Sequence, residues 1–136
     1  AVWSRRPGWR GCGRKALMKR AELGRRGEEI ARAHLENSGY TVVERNWRGE
    51  VGELDLVVSS GDALVFVEVK TRCQSRPDFG EPEEAVTSRK AARIRSLAAE
   101  YLAGSPHRGE VRFDVIAVNV DRQGNLAALR HLQSAF

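Results

Sequence analysis

The stretch GELDLVVSSGDALVFVEVKTR, residues 52–72, decides the fold. Two runs rich in β-branched residues flank Gly61-Asp62, a two-residue pair of the kind that closes a β-hairpin. We therefore predict one strand over residues 52–59 and a second strand over residues 63–72. A hairpin with so short a turn also fixes which residues of the two strands face each other.

The predicted register opposes Asp55 to Glu68 and Glu53 to Lys70. Because side chains alternate across a strand, these four residues share one face of the hairpin. The same face holds Val57, Leu64 and Phe66, and the other face holds only apolar residues: Leu54, Leu56, Val58, Val65, Val67 and Val69. The wholly apolar face is predicted to lie in the core.

Asp55 and Glu68 form a repulsive pair in this register, because like charges directly opposed on two strands destabilise a sheet. A divalent cation between them would turn the repulsion into coordination, and Mg²⁺ usually takes one or two carboxylates. Lys70 lies two residues from Glu68, where it could orient a water or offset charge on a phosphate. The constellation indicates metal-dependent hydrolysis of a phosphodiester. The alternative is a solvated strand face, on which Glu53 and Lys70 form a surface ion pair.

The rest of the chain supplies helices around this hairpin. Residues 21–38 carry a helical apolar stripe, and residues 88–103 carry a second one. Residues 40–47 and 110–120 read as further strands, and a short strand follows the turn at 121–125. The order αβββαβ(β) predicts an α/β domain with a mixed central sheet flanked by helices.

Residues 1–19 differ from the remainder, being rich in Arg, Gly and Trp without a helical or strand period. We predict a disordered or non-native extension there and a single domain over residues 20–136, with Met18 as a candidate start. The net charge of +5 arises near the start of the chain: residues 1–27 hold nine Lys/Arg and one Glu, whereas the remaining residues hold 14 Lys/Arg and 17 Asp/Glu. The folded part is therefore mildly acidic. A basic arm on nucleic acid is the functional alternative for the leader.

Several function classes have no support. The longest apolar run, residues 63–67, is too short to cross a bilayer, so no membrane association is expected. The three histidines show no H-x-x-x-H or H-E-x-x-H spacing, which argues against a zinc or HNH-type site. Neither a P-loop nor a G-x-S-x-G elbow occurs.

Four basic residues are candidates for nucleic-acid binding. They are Arg72 at the end of the third strand and Arg89, Lys90 and Arg93 in the first turns of the second helix. Positive charge at a helix N-terminus opposes the helix dipole, so it lacks a simple stability rationale. A phosphate-binding surface beside the carboxylates would explain it. The alternative is a solvated helix face.

The pattern of Asp55, Glu68, Val69 and Lys70 resembles the D…ExK core of the PD-(D/E)xK superfamily of nucleases. More narrowly, the chain from residue 23 to 118 resembles the YraN-like (UPF0102) family, small bacterial proteins described as candidate endonucleases. The segments that carry the resemblance are residues 23–31 (LGRRGEEIA), 39–40 (GY), 45–47 (RNW), 52–56 (GELDL), 66–72 (FVEVKTR), 79–80 (FG), 84–87 (EAVT) with Lys90, and 112–115 (RFDV). The proline of the superfamily name is replaced by Leu54.

The resemblance implies a restriction-endonuclease-like αβββαβ core and a Mg²⁺- or Mn²⁺-dependent endonuclease acting on DNA, in structured or single-stranded form. Asp55 and Glu68 would bind the metal, and Lys70 would position the nucleophile. It also implies an acidic residue on the first helix, for which Glu28 is chosen over Glu29 because it borders the apolar stripe. The alternative for Glu28 is an early-helix carboxylate favoured by the helix dipole.

Two other functions stay open. One is a catalytically weak or inactive nucleic-acid-binding accessory protein of DNA repair or recombination, and the other is an interaction module without nucleic-acid affinity. A cytoplasmic location is expected, and a homodimer is suggested by analogy with junction resolvases.

Overall fold

In the computed structural model, residues 20–73 and 86–136 are described. The predicted leader, residues 1–19, and the family-like segment at 79–80 lie outside them, as does the start of the segment at 84–87. The elements are α1 (Arg20–Asn37), β1 (Thr41–Arg48), β2 (Glu53–Ser60), β3 (Ala63–Cys73), α2 (Ser88–Ala103), β4 (Val111–Val120) and β5 (Leu126–Leu132). The predicted bounds are confirmed to within one residue. Neither helix of the described ranges is long and apolar enough to cross a membrane.

The five strands form one mixed sheet in the order β1-β2-β3-β4-β5. Only β3 and β4 are parallel, and the other neighbours run antiparallel. The parallel pair requires a crossover, which residues 74–110 provide and which includes α2. The predicted α/β class with a mixed sheet and flanking helices is confirmed.

Each face of the sheet is covered by one helix. The α1 side buries an aliphatic core around Ala31 and Leu35 of α1. The α2 side buries Ile94 and Leu97 against Phe66. Partly buried aromatic side chains pack against this core: Trp47, Tyr101, Phe113 and Phe136. Burial on both faces explains why β2 and β3 read as nearly continuous apolar runs rather than as alternating ones.

The predicted hairpin register is confirmed from Ser60↔Ala63 to Leu56↔Val67. Beyond Leu56 the two strands no longer pair, so neither Asp55–Glu68 nor Glu53–Lys70 is a ladder pair. Glu53 instead forms an ion pair with Arg48 at 3.4 Å. The prediction that Glu53 faces Lys70 is therefore wrong.

Leu54 was predicted to share a face of the sheet with Leu56, but it lies on the opposite face. It packs in the α2-side core, whereas Leu56 packs in the α1-side core. The alternation breaks where Asn46 of the neighbouring strand takes a positive φ of 50°, between the pairs Arg45↔Leu56 and Trp47↔Leu54. Asn is among the few residues that adopt this left-handed conformation at low cost. One irregular point of the sheet therefore lies beside Asp55, whereas the register of β1 against β2 shifts further along, between Val42 and Glu44.

Candidate functional site

Asp55 fills the gap that opens where β2 and β3 part. Its Oδ2 accepts a hydrogen bond from the backbone N–H of Val69 at 2.9 Å. The carboxyl group thus replaces the strand carbonyl that a continuing ladder would have supplied. This bond holds Asp55 beside Glu68, its predicted partner, even though the two residues are not paired in the ladder.

The contact between Asp55 and Glu68 dominates the electrostatics of the site. The pKa of Asp55 is raised from 3.8 to about 8, mainly by burial and next by the charge of Glu68. The bond from the Val69 N–H lowers this pKa, but by less than either of those two causes raises it. The charge of Glu28 on α1 and a hydrogen bond between the Asp55 and Glu68 carboxyl groups act in the same direction as burial. Two acidic groups are therefore held together against their repulsion.

Glu68 has a second neighbour in Lys90, the third residue of α2. The Lys90 ammonium lies 2.7 Å from Glu68 Oε2, and the exposed fractions of the two side chains are 25% and 12%. Burial lowers the pKa of Lys70, and the nearby charges of Lys90 and Arg72 lower it further, against the opposing effect of Glu68. Lys70, Lys90 and Glu68 therefore form one electrostatic cluster.

Glu28 reaches the site from α1 through Asn46. The Asn46 amide donates to Glu28 Oε1 at 2.9 Å, so the residue with positive φ in β1 also orients the α1 carboxylate. Glu28 is partly buried and Glu29 is exposed, in line with the choice made from the sequence. Asn46 was not predicted as a site residue, although it lies within the family-like segment at 45–47.

Close packing fixes the distance between α1 and the site. Gly27 precedes Glu28 and is buried, and a Cβ at this position would overlap the side chain of Thr71. Only glycine lets the helix approach β3 this closely. Thr71 is therefore the residue of β3 against which α1 packs at Gly27.

The donor set suits a hard divalent cation. Asp55 and Glu68 offer carboxylate oxygens, and Mg²⁺ commonly takes two carboxylates and completes its shell with water and phosphate. A cation would also relieve the repulsion that raises the pKa of Asp55. No group of three His, Cys, Asp or Glu side chains suited to a metal ion occurs in residues 20–73 and 86–136. Glu28 is held by Asn46, and its charge acts on Asp55.

The predicted nucleic-acid-binding residues do not form a uniform exposed patch. Arg89 and Arg93 are exposed on α2, and Arg93 lies against Gly52 at the start of β2. Arg72 is half-buried at the end of β3. Lys90 is not a free surface charge, because its ammonium forms an ion pair with Glu68. The structure thus places Arg93 beside the β1–β2 connection and Lys90 inside the carboxylate cluster.

A second polar cluster lies under the other end of α1 and was not predicted. Asp114 is completely buried and accepts bonds from Arg112, at 2.9 and 2.7 Å, and from the Ser134 N–H at 3.0 Å. His131 Nε2 lies 2.8 Å from the same carboxylate. Burial alone would raise the pKa of Asp114, but the bonds from His131, Arg112 and Ser134 outweigh it and hold the pKa below its usual value. The cluster ties β4 to β5.

Arg112 and Asp114 are separated by one residue on β4, and both belong to the family-like segment at 112–115. That spacing, two opposite charges on the buried side of a strand, is the signal that could have found the cluster. The Asp114 carboxylate joins Arg112 of its own strand to His131 of β5 and to the Ser134 N–H, so the arrangement supports the packing of the two strands.

Fold and site together define a small α/β protein that gathers two carboxylates and two lysines where its second and third strands separate. Residues 27–118 match the model of the uncharacterised protein family UPF0102, and the chain belongs to this family. It is 50% identical to the UPF0102 protein of Frankia alni, over 89% of this chain and 99% of that protein. It is 54% identical to the UPF0102 protein of Beutenbergia cavernae, over 82% and 92% respectively. The corresponding protein of Pelotomaculum thermopropionicum is 48% identical over 84% and 94%.

Proposed function

We propose that this protein is a Mg²⁺- or Mn²⁺-dependent endodeoxyribonuclease built on a restriction-endonuclease-like αβββαβ core. The observation that carries the proposal is the contact of Asp55 with Glu68 where β2 and β3 part, with Lys70 beside them. A pair of half-buried acidic groups weakens the fold unless it binds something positive. This cost supports a role in binding.

Asp55 and Glu68 would hold the metal ion. Bound there, it would act as a Lewis acid on the phosphate and lower the pKa of a coordinated water. Asp55 must lose a proton to become a ligand, and its raised pKa means that this proton is still largely present at neutral pH. Binding of the cation is therefore expected to release a proton.

Lys70 would act at the attacking water and at the phosphate. Its pKa is lowered by burial and by Lys90 and Arg72, so its ammonium gives up a proton more readily than an ordinary lysine. In its charged form it offsets the negative charge that develops on the phosphate. Glu28, oriented by Asn46, would assist through a water bound to the metal.

The arginines of α2 would hold the DNA backbone. Arg89 and Arg93 are exposed near the site, and phosphate contacts fix a substrate without reading its sequence. We propose structured or single-stranded DNA as the substrate. A homodimer, by analogy with junction resolvases, would present one site to each of two strands.

The test is cleavage on a panel of single-stranded, duplex, flap and four-way-junction DNA with Mg²⁺, Mn²⁺ or EDTA. Wild type is compared with Asp55→Asn and with Glu53→Gln, which removes a carboxylate of the same strand from a surface ion pair. We expect metal-dependent cleavage by wild type and Glu53→Gln and none by Asp55→Asn. Cleavage that survives in Asp55→Asn would refute the assignment of the site.

One observation favours a second function, that of a nucleic-acid-binding accessory protein with weak or absent activity. Lys90 already neutralises Glu68, and no third carboxylate joins Asp55 and Glu68 within the described part of the chain. Such a protein would bind DNA equally well in EDTA and in Mg²⁺. The same panel, read by fluorescence anisotropy, separates the two functions.

A further inference from the structure

Lys90 occupies a position that needs an explanation beyond DNA binding. It lies in the first turn of α2, where the positive end of the helix dipole disfavours a cation. That turn has no acidic residue of its own, and its N-cap, Thr87, accepts from the Lys90 backbone N–H at 3.2 Å. The compensating negative charge comes from Glu68 on β3, 2.7 Å from the ammonium.

We propose that Lys90 is an internal counter-ion of Glu68 which competes with the divalent cation for this carboxylate. The inference rests on the proposed nuclease site and adds a coupling between metal binding and DNA binding. When Glu68 binds a metal ion, Lys90 leaves it and turns to a DNA phosphate.

Repulsion between the two positive groups opposes a state in which Glu68 binds both. A Mg²⁺ ion binds a carboxylate oxygen at about 2.1 Å. An ammonium that stayed at hydrogen-bond distance from the same group would face a double positive charge a few ångströms away. Lysine has a flexible four-carbon stem and a compact charge, so it can move without displacing the helix. The Lys90 side chain would move toward the solvent-facing side of α2, where Arg89 and Arg93 are exposed.

The exchange has a thermodynamic consequence. A cation that frees Lys90 for DNA strengthens DNA binding, and DNA that captures Lys90 strengthens cation binding by the same factor. The size of this factor measures how strongly the two positive groups oppose each other at Glu68.

The first measurement is Mn²⁺ binding by calorimetry, without DNA, to wild type, Lys90→Gln, Lys90→Arg and Arg89→Gln. Arg89→Gln is the matched control, because it removes one positive charge from the same helical turn without touching Glu68. We expect Lys90→Gln to bind Mn²⁺ about fivefold more tightly, the equivalent of one ion pair of ~1 kcal/mol. Lys90→Arg and Arg89→Gln should stay within about twofold of wild type.

The second measurement is the salt dependence of DNA binding in the Lys70→Met background, which keeps the DNA intact. One additional phosphate contact steepens the dependence of log K on log salt by about 0.9 for duplex DNA. We expect this steepening on passing from EDTA to Mn²⁺ with Lys90 present and a smaller one in Lys90→Gln. Arg89→Gln should keep the full change.

Each outcome decides between the alternatives. Equal tightening in Lys90→Gln and Arg89→Gln would reduce the effect to general charge and overturn the proposal, as would no tightening in either. Mn²⁺-dependent cleavage by wild type alongside either result would leave the nuclease function standing. Absence of Mn²⁺ binding by every variant would overturn the counter-ion role and the nuclease function together. A thermal melt of each variant shows that the fold is retained.

Discussion

Asp55→Asn should make the protein more stable in EDTA while it destroys the metal site. The pKa of Asp55 rises from 3.8 to about 8 on folding. The folded protein therefore retains a proton that the unfolded chain has lost. Over that interval the contribution of Asp55 to the free energy of unfolding falls as pH rises from about 4 to about 8. Asparagine has no such dependence and is close in shape.

The structure allows the replacement without loss of its bonds. The Asn Oδ1 can accept from the Val69 N–H as Asp55 does, and the amide can donate to Glu68. The shift from 3.8 to about 8 corresponds to roughly 6 kcal/mol at about 1.36 kcal/mol per unit. Asp55 keeps some contact with water, which screens its charge, so we expect a gain of ~2–4 kcal/mol at pH 8 and almost none at about pH 4.

The measurement is urea unfolding of both proteins in EDTA between about pH 4 and pH 9. Glu53→Gln is the control and should change the unfolding free energy by less than ~0.5 kcal/mol, because Glu53 pairs with Arg48 at the surface. In Mg²⁺ the order should reverse, since only wild type gains the free energy of binding. If wild type and Asp55→Asn unfold alike at pH 8 in EDTA, the reasoning about a buried, repelling carboxylate pair is refuted.

Three further predictions concern other parts of the structure. Asp114→Asn should lower the free energy of unfolding by ~3–5 kcal/mol, because it leaves Arg112 without its charged partner; urea unfolding measures this, and a loss below ~1 kcal/mol would contradict a structural role. Gly27→Ala should cost ~1–3 kcal/mol, because its methyl group overlaps Thr71, and Thr71→Ala should recover part of the loss in a double-mutant cycle. Lys70→Ala should abolish cleavage and leave DNA affinity within about threefold of wild type, a result read from the cleavage panel and from anisotropy; full cleavage by this variant would exclude Lys70 from the mechanism.

The confirmed part of the hairpin could be predicted because a two-residue turn leaves little freedom of register. Gly61-Asp62 fixed Ser60 opposite Ala63, and the pairing holds as far as Leu56 and Val67. Periodicity likewise located both helices, since the buried stripe of each one faces the sheet. Local sequence was sufficient wherever neighbouring residues determined the backbone.

Sequence did not predict where the pairing stops. The separation of β2 from β3 depends on Asp55 bonding the backbone of Val69, and the irregularity in β1 depends on Asn46 taking a left-handed conformation. In both places a regular strand conformation competes with a side-chain hydrogen bond. Contacts between elements decide which of the two forms. The bond from Asn46 to Glu28 is such a contact, between β1 and α1.

Charges were the other source of error. Lys90 was predicted, with Arg89 and Arg93, to lie on a phosphate-binding surface or on a solvated helix face. It lies instead against Glu68, which is distant in the chain and belongs to the sheet. Asp114 was passed over for the converse reason: the spacing of Arg112 and Asp114 on β4 is a signal, but it does not indicate the partner His131 on the next strand. Ion pairs between elements require the tertiary arrangement.

The parallel pairing of β3 with β4 has a consequence for how the chain assembles during synthesis. It joins Leu64 to Val111 and so waits until α2 has been made, whereas β1, β2 and β3 are linked by short connections. The carboxylates of Asp55 and Glu68 therefore come together when β1, β2 and β3 have formed a three-stranded meander. At that stage β3 is an edge strand, because β4 has not yet been made. An unpaired and strongly apolar edge attracts other chains. We expect interrupted synthesis before Val111 to yield aggregates, so that a pause in translation before β4 lowers the amount that folds.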